Sequence, residues 1–136
     1  MALVLLHQGE QAMLEAFVNK TAPQTLIAKL FVTNVTPAKT DTESSYTEAT
    51  GGGYVTKTCT PGDWTWTSAT PSHIDLPQAD TIWTFTGPLT TNLVIYGYYL
   101  IQTTSGKAVW AEAISPTFQP ASNGDQFKLT LILTLA

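Results

Sequence analysis

The stretch Leu93-Val94-Ile95-Tyr96-Gly97-Tyr98-Tyr99-Leu100-Ile101-Gln102-Thr103 is the longest apolar run in the chain. Its β-branched and aromatic residues suit a pleated strand better than a helix. Gly97 inside it marks a bulge or a close backbone approach. Ser105-Gly106-Lys107 follows as a tight hairpin signal, and Ala108 to Ile114 runs back as the partner strand. This hairpin sets the expectation for the rest of the chain: antiparallel sheet built from short strands.

Working outward, Thr25 to Thr33 alternates Leu26, Ala28, Leu30 and Val32 against Ile27, Lys29, Phe31 and Thr33. Both sets are largely apolar, which predicts a central strand. Short strands are also expected over Tyr46–Ala49, Tyr54–Cys59, Trp64–Thr67 and Thr81–Phe85. In Trp64–Thr67 the spacing puts both indoles on one side. The alternating leucines of Phe127 to Leu135 predict one last strand. Turns are signalled by Gly51-Gly52-Gly53, Pro61-Gly62-Asp63, Thr70 to His73, Gly87-Pro88 and Asn123-Gly124-Asp125, with Pro116 and Pro120 framing a loop. Val35 to Ser45 reads as a long surface loop.

Near the start, Ala2 to Leu6 is a short apolar strand or arm, interrupted at His7-Gln8-Gly9. Glu10 to Lys20 is the one convincing helix. Met13, Ala16, Phe17 and Lys20 supply its inner face, and Pro23 its stop. With about eight strands spaced roughly 8–15 residues apart, the pattern is all-β, mainly antiparallel: a jelly-roll-like β-sandwich with one short N-terminal helix. A length of 136 residues allows one domain, 1–136, in which 1–20 form an N-terminal arm and helix.

Charged residues make up 12% of the chain, about half the usual share. Threonine fills the polar quota, hydrating exposed sheet faces without charge. The net charge is −4, and all six cationic side chains are lysines. No basic stripe for nucleic acid can be assembled from them. No apolar run reaches the length of a membrane span, and no export signal is readable. The sequence thus predicts a protein made in the cytoplasm, with no direct nucleic-acid or membrane partner.

Chemistry-bearing patterns are sparse. His7 and His73 have no neighbours at metal-ligand spacing, so no metal or cofactor is expected. Cys59 lies in a threonine-rich strand and reads as a small buried apolar residue. The triple glycine precedes a strand, not a helix, and so lacks the setting of a phosphate loop. Asp41, Glu43 and Glu48 have no calcium-loop pattern. A small glycan hydrolase would have to draw on Asp63, Asp75, Asp80 and Glu112. Trp64, Trp66, Trp83 and Trp110 belong to the core or to a contact between subunits. A sugar-stacking ladder would need two of them exposed side by side.

The order of several short patterns carries a resemblance. These are the apolar opening with Gly-Glu entering a helix (Leu3 to Phe17), Leu26 to Phe31 followed by Asn34 and Pro37, Tyr46 to Ala49 before Gly53-Tyr54, and Trp64 to Thr67. Ile95-Tyr96-Gly97-Tyr98, Trp110-Ala111-Glu112, and Gly124-Asp125 leading to Leu135 complete the series. Over nearly its whole length the chain resembles small virion structural proteins of tailed bacteriophages, of the head decoration (cement) type. The resemblance implies a non-enzymatic jelly-roll protein on the outer surface of the head. It would bind and stabilise the assembled capsid through the major capsid protein and copies of itself, with a homotrimer favoured. No catalytic, cofactor-binding or metal residue comes with it. Residues expected to grip the partner are Leu3, Val4, Leu5 and Leu6 of the opening run, Pro37 and Lys39 of the long loop, and Trp64 and Trp66. The alternative place on the particle is a tail, baseplate or receptor-binding component that recognises glycans.

Overall fold

The computed structural model describes residues 3–134. Among them are ten strands and one α-helix. In chain order these are β1 (Val4–Leu5), α1 (His7–Phe17), β2 (Leu26–Phe31), β3 (Lys57–Cys59), β4 (Thr65–Thr67), β5 (His73–Leu76), β6 (Ile82–Thr84), β7 (Ile95–Gln102), β8 (Ala108–Phe118), β9 (Gln126–Lys128) and β10 (Leu131–Thr134). The chain is a β-sandwich with one short helix, as the alternation of apolar residues predicts. One sheet has the order β1-β8-β7-β2-β3; the smaller ones are β10-β5-β4 and β6-β9. Every pairing between these strands is antiparallel.

The large sheet is buried on both faces, because its central strands are apolar on both. Ala28, Leu30, Tyr98 and Leu100 face the two smaller sheets, meeting Leu76, Trp83, Phe85 and Leu131 in the main core. Ile27, Phe31, Tyr99 and Ile101 face the other way, into a second cluster with Leu6, Tyr46 and Ala111. There Phe31, Tyr46 and Tyr99 pack ring on ring, with centroids 4.9 to 6.4 Å apart. Fully burying a side chain of this size contributes about 1.5–3 kcal/mol, so Trp83, Tyr99, Phe31 and Phe85, all under 2% exposed, dominate the stabilisation.

The central hairpin has the expected turn, with Gly106 at φ 69°. It also has two irregularities, between Ile95 and Gly97 and between Leu100 and Ile101. At Gly97 the Phe31 ring and the Glu112 carbonyl come so close that a Cβ would overlap both. At the second, the extra residue lies on β8: Leu100 opposes Trp110 and Ile101 opposes Ala108. A bulge of this kind puts consecutive side chains on one face, and Val109 and Trp110 both enter the main core.

The helix departs from the sequence expectation. It starts at His7, and Gly9, read as part of an interruption, is its buried point. A Cβ at Gly9 would overlap the Val109 carbonyl, so only glycine lets α1 rest on the bulged strand. The inner face is therefore Gly9, Ala12 and Ala16, with Met13 at its rim. Phe17, placed inside from its spacing, is 89% exposed. The helix ends before Pro23 is reached. Asn19 takes φ 57°, its N–H bonds Ala16 O at 3.1 Å, and Lys20 N–H bonds Glu15 O at 2.8 Å. Those two bonds are a Schellman termination.

Other boundaries shift too. Tyr46–Ala49 forms only a bridge, Phe31 with Glu48. Pro116 lies inside β8 rather than in a loop. The closing leucine run is two strands, β9 paired with β6 and β10 paired with β5. His73–Leu76, next to an expected turn, is the middle strand of the three-stranded sheet. The triple glycine is a fixed turn at φ 81°, 57° and 76°, bridged to Leu89. Ala2 and Leu135, at the ends of the expected first and last strands, lie outside the described residues.

Candidate functional site

The bulge, the helix and the gap between the sheets together create an apolar groove of about 290 Å³. Met13 and Ala16 of α1 form one wall, and Ile74 and Leu133 of the three-stranded sheet form another. Trp64 and Trp110 meet in the groove edge to face, with centroids 6.1 Å apart and planes at 80°. A second hollow of about 190 Å³ adjoins it, sharing Met13, Ile74 and Leu133 and adding Trp66, Ser72 and His73. Two exposed apolar side chains, Met13 of α1 and Trp66 of β4, line these hollows; Leu14 and Phe17 of α1, Val18 just beyond it and Ile132 of β10 are exposed as well. Scattered exposed apolar residues are ordinary, but exposed ones that line a groove mark a contact surface.

The residues expected to grip a partner are distributed unevenly. β1 adds to the edge of the large sheet, with Val4 opposite Ala111 and Leu5 opposite Trp110. Leu3, Val4 and Leu5 are half-buried against the cores, and Leu6 is fully buried. Pro37 is buried as well. These five are held by the chain's own packing, which gives the opening run an internal task. Lys39 is exposed; its Nζ lies 2.6 Å from Glu10 Oε1, and its carbonyl accepts the His7 N–H at 2.9 Å. It pins the long loop to the helix start. Trp64 is half-buried in the groove, and Trp66, 65% exposed, is the one tryptophan offered to solvent. Trp83 is sealed, with its indole N–H on Val55 O at 2.8 Å. No pair of exposed, side-by-side indoles is formed.

Asp41, Glu43 and Glu48 have structural partners. Glu43 and Glu48 hold Lys29 Nζ at 2.8 and 3.2 Å. Burial opposes the charge on Lys29, but those two carboxylates outweigh it and hold the ammonium above its ordinary range. Asp41 accepts the Tyr46 hydroxyl at 2.9 Å, and Glu48 that of Tyr54 at 3.0 Å.

Of the four carboxylates weighed for catalysis, the fold brings Asp63 and Asp80 together. Hydrogen bonding to Asp80, then its charge, raises Asp63 above the ordinary value of 3.8. Asp80 Oδ2 is buried with no hydrogen-bond donor on it among the described residues. Glu112 instead accepts the Tyr98 hydroxyl at 2.7 Å. None of the four lines either groove. Cys59 is buried, and desolvation pushes its thiol up to about 12, disfavouring the thiolate a nucleophile needs. No group of three or more His, Cys, Asp or Glu is placed to hold a metal ion among the described residues. No helix among them is long and apolar enough to cross a membrane.

Sequence reasoning passed over the groove because Val109, Trp110, Ile74 and Leu133 converge only in the fold. One signal was available: Gly9, Ala12 and Ala16 form a small-residue stripe at helical spacing, which marks a close approach. Comparison with protein-family models and with curated proteins finds no match for this chain.

Proposed function

We propose that the chain is a non-catalytic structural protein of a tailed-phage particle, a head decoration protein. It binds the major capsid protein and copies of itself on the outer surface of the head, with a homotrimer favoured. The observation that supports this most is the apolar groove, with Met13 and Trp66 exposed in its lining, on an otherwise charge-poor block. Such a surface gains free energy when another protein covers it. The phage assignment itself rests on the sequence resemblance.

Co-sedimentation tests it: the purified chain mixed with heads lacking it should pellet with them and raise their resistance to heat. Retention on isolated tails and not on heads would move it to the tail or baseplate reading. A glycan array with Trp66→Ala as control checks the glycan-binding form of that second reading, for which Trp66 is the one exposed indole.

A further inference from the structure

Helix α1 is apolar on two sides. Gly9, Ala12 and Ala16 form the side that rests on β8. Leu14, Phe17 and the next residue, Val18, stand at i, i+3 and i+4 and so share the opposite side. There Leu14 and Val18 are each 68% exposed and Phe17 89%. Met13, four residues before Phe17, is 40% exposed at the border of this face. A helix with one buried face carries polar and charged residues on the other, whereas one that is apolar all round is covered all round. Among the described residues the fold supplies only the inner cover.

The charges around the helix point to what covers the outer face. Glu10 pairs with Lys39 at 2.6 Å and Glu15 with Lys20 at 3.5 Å, and Lys107 Nζ lies 3.5 Å from Gln11 Oε1. With His7 counted neutral, two acids against three lysines leave +1 here, so a chain of net charge −4 holds −5 in its remainder. Two copies of such a chain repel each other least when they meet by this patch. Aromatic and methionine side chains at an uncharged centre, with charges at the margin, are also the composition of contacts between like chains. The area is sufficient for a weak one. A buried aromatic ring removes ~150–250 Å² from water, so two Phe17 rings supply about 300–500 Å². Leu14, Val18 and Met13 bring the total toward the low end of the ~1,200–2,000 Å² of a specific interface.

We propose that the outer face of α1, formed by Leu14, Phe17 and Val18 with Met13 at its border, is the contact between copies of this chain: the helices of neighbouring protomers meet along it around a symmetry axis. This rests on the self-association proposed above and names the surface that carries it; it does not depend on the head role.

Sedimentation equilibrium of the intact chain, from about 1 µM to about 1 mM, tests it. The average mass should rise with concentration from that of one protomer. A plateau at three protomer masses makes this face the trimer contact; a plateau at two keeps the face and removes the trimer. Phe17→Ser should weaken the association at least ~10-fold, with an unchanged thermal midpoint at low concentration. Val55→Ser, at an exposed apolar residue of a different segment, should leave the association as it is. Lys20→Glu turns the local charge from +1 to −1, and should weaken the association by a factor that shrinks at high salt. A chain that stays monomeric throughout, or a Phe17→Ser variant that associates like wild type, overturns the proposal. If Phe17→Ser does not fold, Leu14→Ser decides by the same criteria. The particle assignment fails separately: a chain that associates through Phe17 but never pellets with heads keeps this contact and loses the head role. A chain that stays monomeric, pellets with heads and ceases to do so on Phe17→Ser keeps the head role, and its helix face then belongs to the capsid protein and not to a second copy.

Discussion

Single residues decide where the elements can touch. At Gly9 any side chain would push α1 off the Val109 carbonyl. Gly9→Ala is therefore expected to destabilise the fold by about 1–3 kcal/mol, the range for overpacked sites, seen as a lower urea midpoint with an unchanged slope. Asp63 acts in the opposite sense, since its folded pKa is raised above 3.8 by Asp80. The stability linked to its proton is fully present below that ordinary value and is lost as pH rises through the folded one. Asp63→Asn should thus be more stable than wild type at neutral pH and equal to it near pH ~3, read from thermal midpoints at both. If the gap between the two proteins is the same at both pH values, the carboxyl pair is not coupled.

At the scale of elements, the helix shows what patterning conveys and what it omits. Its existence was legible from the apolar spacing, but its rotation was not. Met13, Ala16 and Phe17 fit a helical period as well as Gly9, Ala12 and Ala16 do. The choice between the two faces is made by the bulge on β8, which offers the helix a backbone surface that only small residues can approach. The helix end was legible in principle, since Asn19 is a common residue for the left-handed position after a helix. Asn19→Ala should cost about 1 kcal/mol and Asn19→Gly should be neutral or stabilising, compared by chemical denaturation. Strands β7 and β2 were readable because they are apolar on both faces. His73–Leu76 was not, because a four-residue strand beside an expected turn has too few positions to show a period. The groove was the least legible feature, as its lining comes from seven separated parts of the chain.

For the whole molecule, the buried tyrosines, Cys59 and Lys29 all shift in one direction. Desolvation raises Tyr46, Tyr54, Tyr98 and Tyr99 above 10.0 and Cys59 above 9.0. Lys29 is raised above 10.5 by Glu43 and Glu48 against the cost of its burial. Each group supports folding fully below its ordinary value, and that support is lost as pH climbs toward the folded one. Stability should therefore be flat from neutrality to about pH 9 and fall steeply above it, as urea midpoints across that range would show. A profile unchanged to pH ~12 would contradict the burial of these groups. The exposed helix face behaves differently. Phe17→Ser should change monomer stability by less than about 0.5 kcal/mol, yet lower the affinity for heads, which sedimentation at matched concentrations measures.

The edge-on contact of Trp64 with Trp110 joins the three-stranded sheet to the large one. Two indole transition dipoles this close couple, so the molecule carries an optical gauge of whether its two layers are seated. During heating, a near-ultraviolet dichroic signal that fades before the peptide-region signal would report layers sliding apart while each is still hydrogen-bonded.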